Sequence, residues 1–102
     1  MNFIVSPLRE NAVNLMRRAG YTFQRHTDRP SEMSFVRALG SGGYPRFHLY
    51  ATTSGMDLNV SIHIDHKPHT YGNATRHHGE YDDSGALGPE VLRLKTMFGV
   101  SE

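Results

Sequence analysis

The sequence predicts an α+β domain of two layers: a helix, a four-stranded antiparallel sheet built from two hairpins, and a second helix, both helices on one sheet face. Three observations carry that expectation. Apolar residues recur at helical steps near each end, at Leu8, Ala12, Leu15, Met16 and Ala19 and again at Val91, Leu94 and Phe98. Between them the period changes to two in four stretches, punctuated by Asp28-Arg29-Pro30-Ser31, Gly40-Ser41-Gly42-Gly43 and Ser54-Gly55. The alternation sets apolar against polar residues, as in a sheet covered on one side and open on the other.

The first helix is expected to begin with Ser6 as cap and Pro7 at its first position. It closes with Arg17 and Arg18 before Gly20. Phe3, Ile4 and Val5 precede it and either pack or add a short edge strand. The strands follow as 21–27, 32–39, 44–52 and 56–65. The last is the cleanest: Met56, Leu58, Val60, Ile62 and Ile64 point one way, Asp57, Asn59, Ser61, His63 and Asp65 the other. Residues 66–85 show no period and read as a long connection, of the kind that carries function. The second helix is expected from Pro89 to Phe98, with Gly99 as its stop.

The chain of 102 residues reads as a single domain, 1–102, able to bury a core without staples. It has no cysteine, which excludes disulfides, thiolate nucleophiles and Cys-type zinc sites. No apolar run approaches the roughly 18 residues of a membrane span. The opening MNFIVSPLRE lacks the basic start and long apolar centre of a signal peptide. A cytoplasmic location is therefore expected. The formal charge of +1 is not the strongly basic footprint of most nucleic-acid binders.

Function concentrates around the fourth strand and the connection after it. Five of the seven histidines lie between residues 63 and 83. If Ser54-Gly55 is a two-residue turn, Thr53 faces Met56, Tyr50 faces Asn59, His48 faces Ser61 and Arg46 faces His63. That register makes His48 and His63 diagonal neighbours on the open face, with Asp65 beside them.

Three chemistries are open to such a group. His63 and Asp65, with His66 or His69, could ligate zinc or another divalent metal, the candidate cofactor. In an enzyme, His48 and His63 could move protons while Arg46 or Lys67 holds a phosphate. Without chemistry, the face could bind a protein or nucleic-acid partner through Arg46, Tyr50, Lys67, Tyr71, His77, Glu80 and Tyr81. Arg25, Arg29 and Arg37, interleaved with Tyr21 and Tyr44, fit that same use.

The stretches Tyr44-Pro45-Arg46-Phe47-His48-Leu49-Tyr50, His63-Ile64-Asp65 and Gly79-Glu80-Tyr81-Asp82 resemble those of a group of short uncharacterised bacterial proteins. The resemblance covers about residues 33–95 and implies no activity. It does imply that the three stretches belong to one spatial feature. The expected function is binding through a His/Asp/Arg site on the open face and the 66–85 connection, with a divalent metal as the candidate co-ligand. A small metal- or histidine-dependent phosphodiesterase or nuclease is the alternative, and an interaction or inhibitor protein without a small ligand is the third class.

Overall fold

A computed structural model describes residues 1–66 and 79–100, with side chains in the second stretch from residue 85 onward. The α+β class holds, with five strands rather than four. The elements are β1 (Asn2–Val5), α1 (Ala12–Arg18), β2 (Thr22–His26), β3 (Glu32–Ala38), β4 (Arg46–Ser54), β5 (Asp57–Asp65) and α2 (Gly79–Phe98). The sheet order is β1-β5-β4-β3-β2, and every neighbouring pair is antiparallel.

The added strand is β1, which pairs Phe3 with Val60 and Val5 with Leu58. Phe3 and Val5 are buried while Asn2 and Ile4 are exposed, the half-buried alternation that suits an edge strand. Pairing also satisfies the outer edge of β5, which would otherwise lie open.

The first helix starts later than its sequence signals suggest. Asn11, not Ser6, is the cap: its Oδ1 accepts from the backbone N–H of Val13 at 2.9 Å and of Asn14 at 3.2 Å. The Ser6 hydroxyl donates instead to Asp57, and the Leu8 N–H donates to the Met56 carbonyl. Residues 6–8 are thereby tied to the turn between β4 and β5. Pro7 follows a cis peptide bond and lies outside the helix.

The second helix starts earlier, at Gly79, so the connection predicted over 66–85 is helical in its last part. Pro89, expected to open the helix, lies inside it with Gly85 and Gly88, and Leu87, Val91 and Leu94 form one buried stripe across them. Burial of that stripe outweighs the propensity cost, as tertiary packing commonly does.

One buried cluster joins Ala12, Leu15 and Met16 of α1, Leu87, Val91 and Leu94 of α2, and the apolar positions of the strands. Phe35, Leu49, Leu58, Val60 and Ile62 are at most 1 % exposed. Burying each such side chain stabilises the fold by about 1.5–3 kcal/mol, so a one-residue slip that turned them outward is excluded. No helix among the described residues is long and apolar enough to cross a membrane.

The β4–β5 hairpin differs from its expected register by two residues. Ser54 pairs with Asp57, so Gly55 and Met56 form the turn rather than Ser54 and Gly55. Gly55 has φ of +61°, and a glycine as first central residue is what a tight hairpin turn of this kind demands. Met56, expected inward, is 65 % exposed in that turn. The shift preserves which face each side chain occupies but changes every cross-strand partner.

Candidate functional site

The corrected register assembles the site. His48 lies directly opposite His63, Arg46 opposite Asp65 and Tyr50 opposite Ser61, all on the face away from the core. Directly paired side chains stand closer than diagonal ones, so the two imidazoles meet more tightly than the expected register allowed. Their ring centroids are 5.1 Å apart. The Tyr50 ring lies 4.5 Å from that of His48 and 6.0 Å from that of His63, making one wall of the group.

Asp65 ties the group together. Its Oδ2 lies 2.8 Å from His48 Nδ1 and accepts from Arg46 Nε–H at 3.3 Å, while its Oδ1 lies 2.9 Å from His63 Nε2. The Arg46 guanidinium sits over the Tyr44 ring at 4.7 Å. His48 is buried and Asp65 is about a quarter exposed.

On the other side of His48, Nε2 lies 2.8 Å from Ser34 Oγ, and Ser34 donates to Gln24 Oε1 at 2.8 Å. Ser34 is fully buried. A β-bulge between Phe23 and Arg25 makes this contact: Arg25 pairs with Ser34, and Gln24 is the extra residue beside it. The polar line therefore crosses four strands, from Gln24 on β2 through Ser34 and His48 to Asp65 and His63 on β5.

Counting protons along this line decides what it can hold. A serine hydroxyl has one proton: with it on Gln24 Oε1, Ser34 accepts from His48 Nε2–H, and with the Gln24 carboxamide reversed, Ser34 donates to Nε2 and Nδ1–H donates to Asp65. In the first arrangement His48 Nδ1 faces Asp65 either as a second N–H or as a lone pair. Burial pulls the His48 pKa below the ordinary imidazole value, against the pull of Asp65, and so disfavours the doubly protonated ring. Burial raises the Asp65 pKa, but His48, His63 and Arg46 together outweigh it and hold the carboxyl below its ordinary range. With His48 neutral, Arg46 is the permanent counter-charge. In the first arrangement a lone pair and a carboxylate then face each other, which a cation between them would relieve; in the second, neutral His48 donates Nδ1–H to Asp65.

The geometry suits such an ion. One ligand atom from each of His48, His63 and Asp65 lies within 4.8 Å of the others. Ligand atoms about 2.0–2.2 Å from a metal stand roughly 3–3.6 Å apart, so small side-chain shifts would bring the three onto one ion. Two imidazoles and one carboxylate are a donor set for zinc, iron(II) and related ions.

Among the residues singled out from the sequence, the fold brings together Arg46, His48, Tyr50, His63 and Asp65. His66 follows the end of β5 and is not among those three convergent ligands. Lys67, His69, Tyr71 and His77 lie outside the described residues, and Glu80 and Tyr81 lie in α2 where side chains are not described. Tyr21 and Arg37 do not belong to an exposed binding face. Tyr21 is 2 % exposed and donates to Glu90 Oε2 at 2.6 Å, and Arg37 is directed at the same carboxylate.

Ser34 and Gln24 were not legible as site residues. Strand alternation alone puts Ser34 on the open face, but its place beside His48 depends on the β3–β4 register, which the glycine-rich 40–43 connection does not fix. No family model, curated protein sequence or solved structure matches the chain.

Proposed function

We propose that this chain is a small binding protein that holds one divalent transition metal between His48 Nδ1, His63 Nε2 and Asp65. The observation that carries the reading is the convergence of one ligand atom from each of His48, His63 and Asp65 within 4.8 Å, with buried Ser34 2.8 Å from the other nitrogen of His48. A ligating histidine ordinarily donates its other N–H to a fixed acceptor, and buried Ser34 is placed to be that acceptor. Reversing the Gln24 carboxamide would make Nδ1 the donor and leave a metal-free hydrogen-bonded relay.

Phosphodiester cleavage with His48 as general base is less well supported. His48 is buried and its Nε2 faces Ser34, which is fully buried, so that nitrogen is not presented to a substrate.

Calorimetric titration of chelator-treated protein with zinc tests the proposal. One ion per chain is expected, with His63→Ala weakening binding by at least about a hundredfold, more than loss of an outer partner costs. Absence of any heat at micromolar zinc contradicts it. Ser34→Ala removes only the outer partner of His48, so its zinc affinity should fall roughly 10- to 100-fold while one-to-one stoichiometry persists. Competition with a chromophoric chelator measures both constants.

A further inference from the structure

We propose that the metal at this site takes an oxyanion-bearing ligand, a phosphate or a carboxylate, clamped between the ion and the Arg46 guanidinium. The inference rests on the metal reading and names what the metal would bind. Three protein donors leave open positions on a four- to six-coordinate ion. Two neutral imidazoles, one carboxylate, a divalent ion and one guanidinium leave two positive charges uncompensated. Among the described residues, no second carboxylate contacts the group. In a partly buried site that excess favours an anion.

Arg46 is already set to receive one. Its side chain is 21 % exposed and is fixed from two directions, by Nε–H donating to Asp65 and by the Tyr44 ring beneath the guanidinium. Its terminal amino groups, Nη1 and Nη2, make no hydrogen bond to any described residue. A guanidinium held still with its fork unused presents the paired donors that match a carboxylate or phosphate edge. Because Arg46 and the two imidazoles all contact Asp65, one oxyanion could meet both the guanidinium and the ion. A groove of about 490 Å³ on the same sheet face is lined by Tyr50 and Ser61, by Arg25 and Arg29, and by the carboxylates Asp28 and Glu32. It has room for the remainder of such a ligand.

Cobalt(II) is the probe, since its visible spectrum reports on the open coordination positions. At saturating cobalt, added inorganic phosphate or acetate should shift the absorption saturably. A response to phosphate alone assigns phosphate compounds, a response to acetate alone assigns carboxylates, and a response to both supports the shared oxyanion chemistry. In Arg46→Ala the half-saturating anion concentration should rise roughly tenfold or more, as expected for losing a charged hydrogen bond. Arg46→Lys, which keeps the charge but loses the fork, should fall between. A cobalt spectrum that neither anion moves overturns the inference while leaving the metal reading intact, and so does an Arg46→Ala protein that responds like the parent. Failure to bind cobalt at all overturns both.

Discussion

Glu90→Ala should lower the unfolding free energy by about 3 kcal/mol, the low end for breaking a buried ion pair. Glu90 is 5 % exposed, and its carboxylate accepts from Tyr21 Oη at 2.6 Å and from Arg93 Nε and Nη2 at 2.9 Å each. Arg93 also donates to the Ala19 carbonyl at 2.8 Å, so this one acid holds α2 against the end of α1 and the start of β2. The mutant strands Tyr21, buried with no acceptor, while Arg37 and Arg93, each about a third exposed, can turn to water. That partial escape keeps the cost near 3 kcal/mol rather than 5. For a domain of this size the midpoint should fall by about 15 °C, measured by thermal unfolding. A fall below about 3 °C would contradict the account.

The same network predicts how stability varies with pH. Burial raises the Glu90 pKa, but Arg93, Tyr21 and Arg37 outweigh it, and the folded value lies below the ordinary carboxylate range. A depressed folded pKa contributes stability that is complete above the unfolded value, about 4.3, and is lost as pH falls through the folded one. Burial and the Glu90 carboxylate push Tyr21 the other way, far above its ordinary value. Its contribution is complete below about pH 10 and is lost as pH rises beyond. Glu90→Gln should flatten the acid limb and Tyr21→Phe the alkaline limb, both read from denaturation midpoints across pH.

The second large effect belongs to Asp65→Asn. Asp65 contacts His48, His63 and Arg46, so it joins all three nitrogen-bearing members of the candidate site. Asparagine keeps the shape but loses the charge that a divalent ion needs. Zinc affinity should drop by at least about a hundredfold, beyond the range for outer partners. Stability should change by only about 1 kcal/mol, because the carboxamide still accepts hydrogen bonds on a partly exposed face. Paired zinc titrations and denaturant midpoints separate the two effects. A mutant that bound zinc normally would show that Asp65 is not a ligand.

The sheet was legible where side chains alternate against a buried face. Residues 57–65 announced both the strand and the side each residue occupies, because Leu58, Val60, Ile62 and Ile64 cannot face water. The register was harder. A shift of two keeps every side chain on its face, so apolar patterning does not distinguish the two hairpins. The backbone does, because Gly55 has positive φ while Ser54 lacks the positive φ that a Ser54-Gly55 turn needs at its first position. That choice turns His48 and His63 from diagonal into direct neighbours.

The remaining features depend on contacts between distant residues. Tyr21 read as a strand residue and nothing in the sequence singled out Glu90; only packing brings them together, at 2.6 Å. Ser6-Pro7 carried strong helix-start signals, but Asp57 claimed the serine. The bulge at Gln24 has no marker in the residue types around it, and without it Gln24 would not stand beside Ser34.

The most direct test is a zinc titration of chelator-treated, 15N-labelled protein that follows the imidazole nitrogens. The account predicts one zinc per chain, coordination shifts at His48 Nδ1 and His63 Nε2, and a His48 Nε2 that stays protonated toward Ser34. No zinc uptake at micromolar concentration, or uptake that leaves both nitrogens unmoved, would contradict it and leave the Gln24–Ser34–His48–Asp65 line as a structural hydrogen-bonded relay.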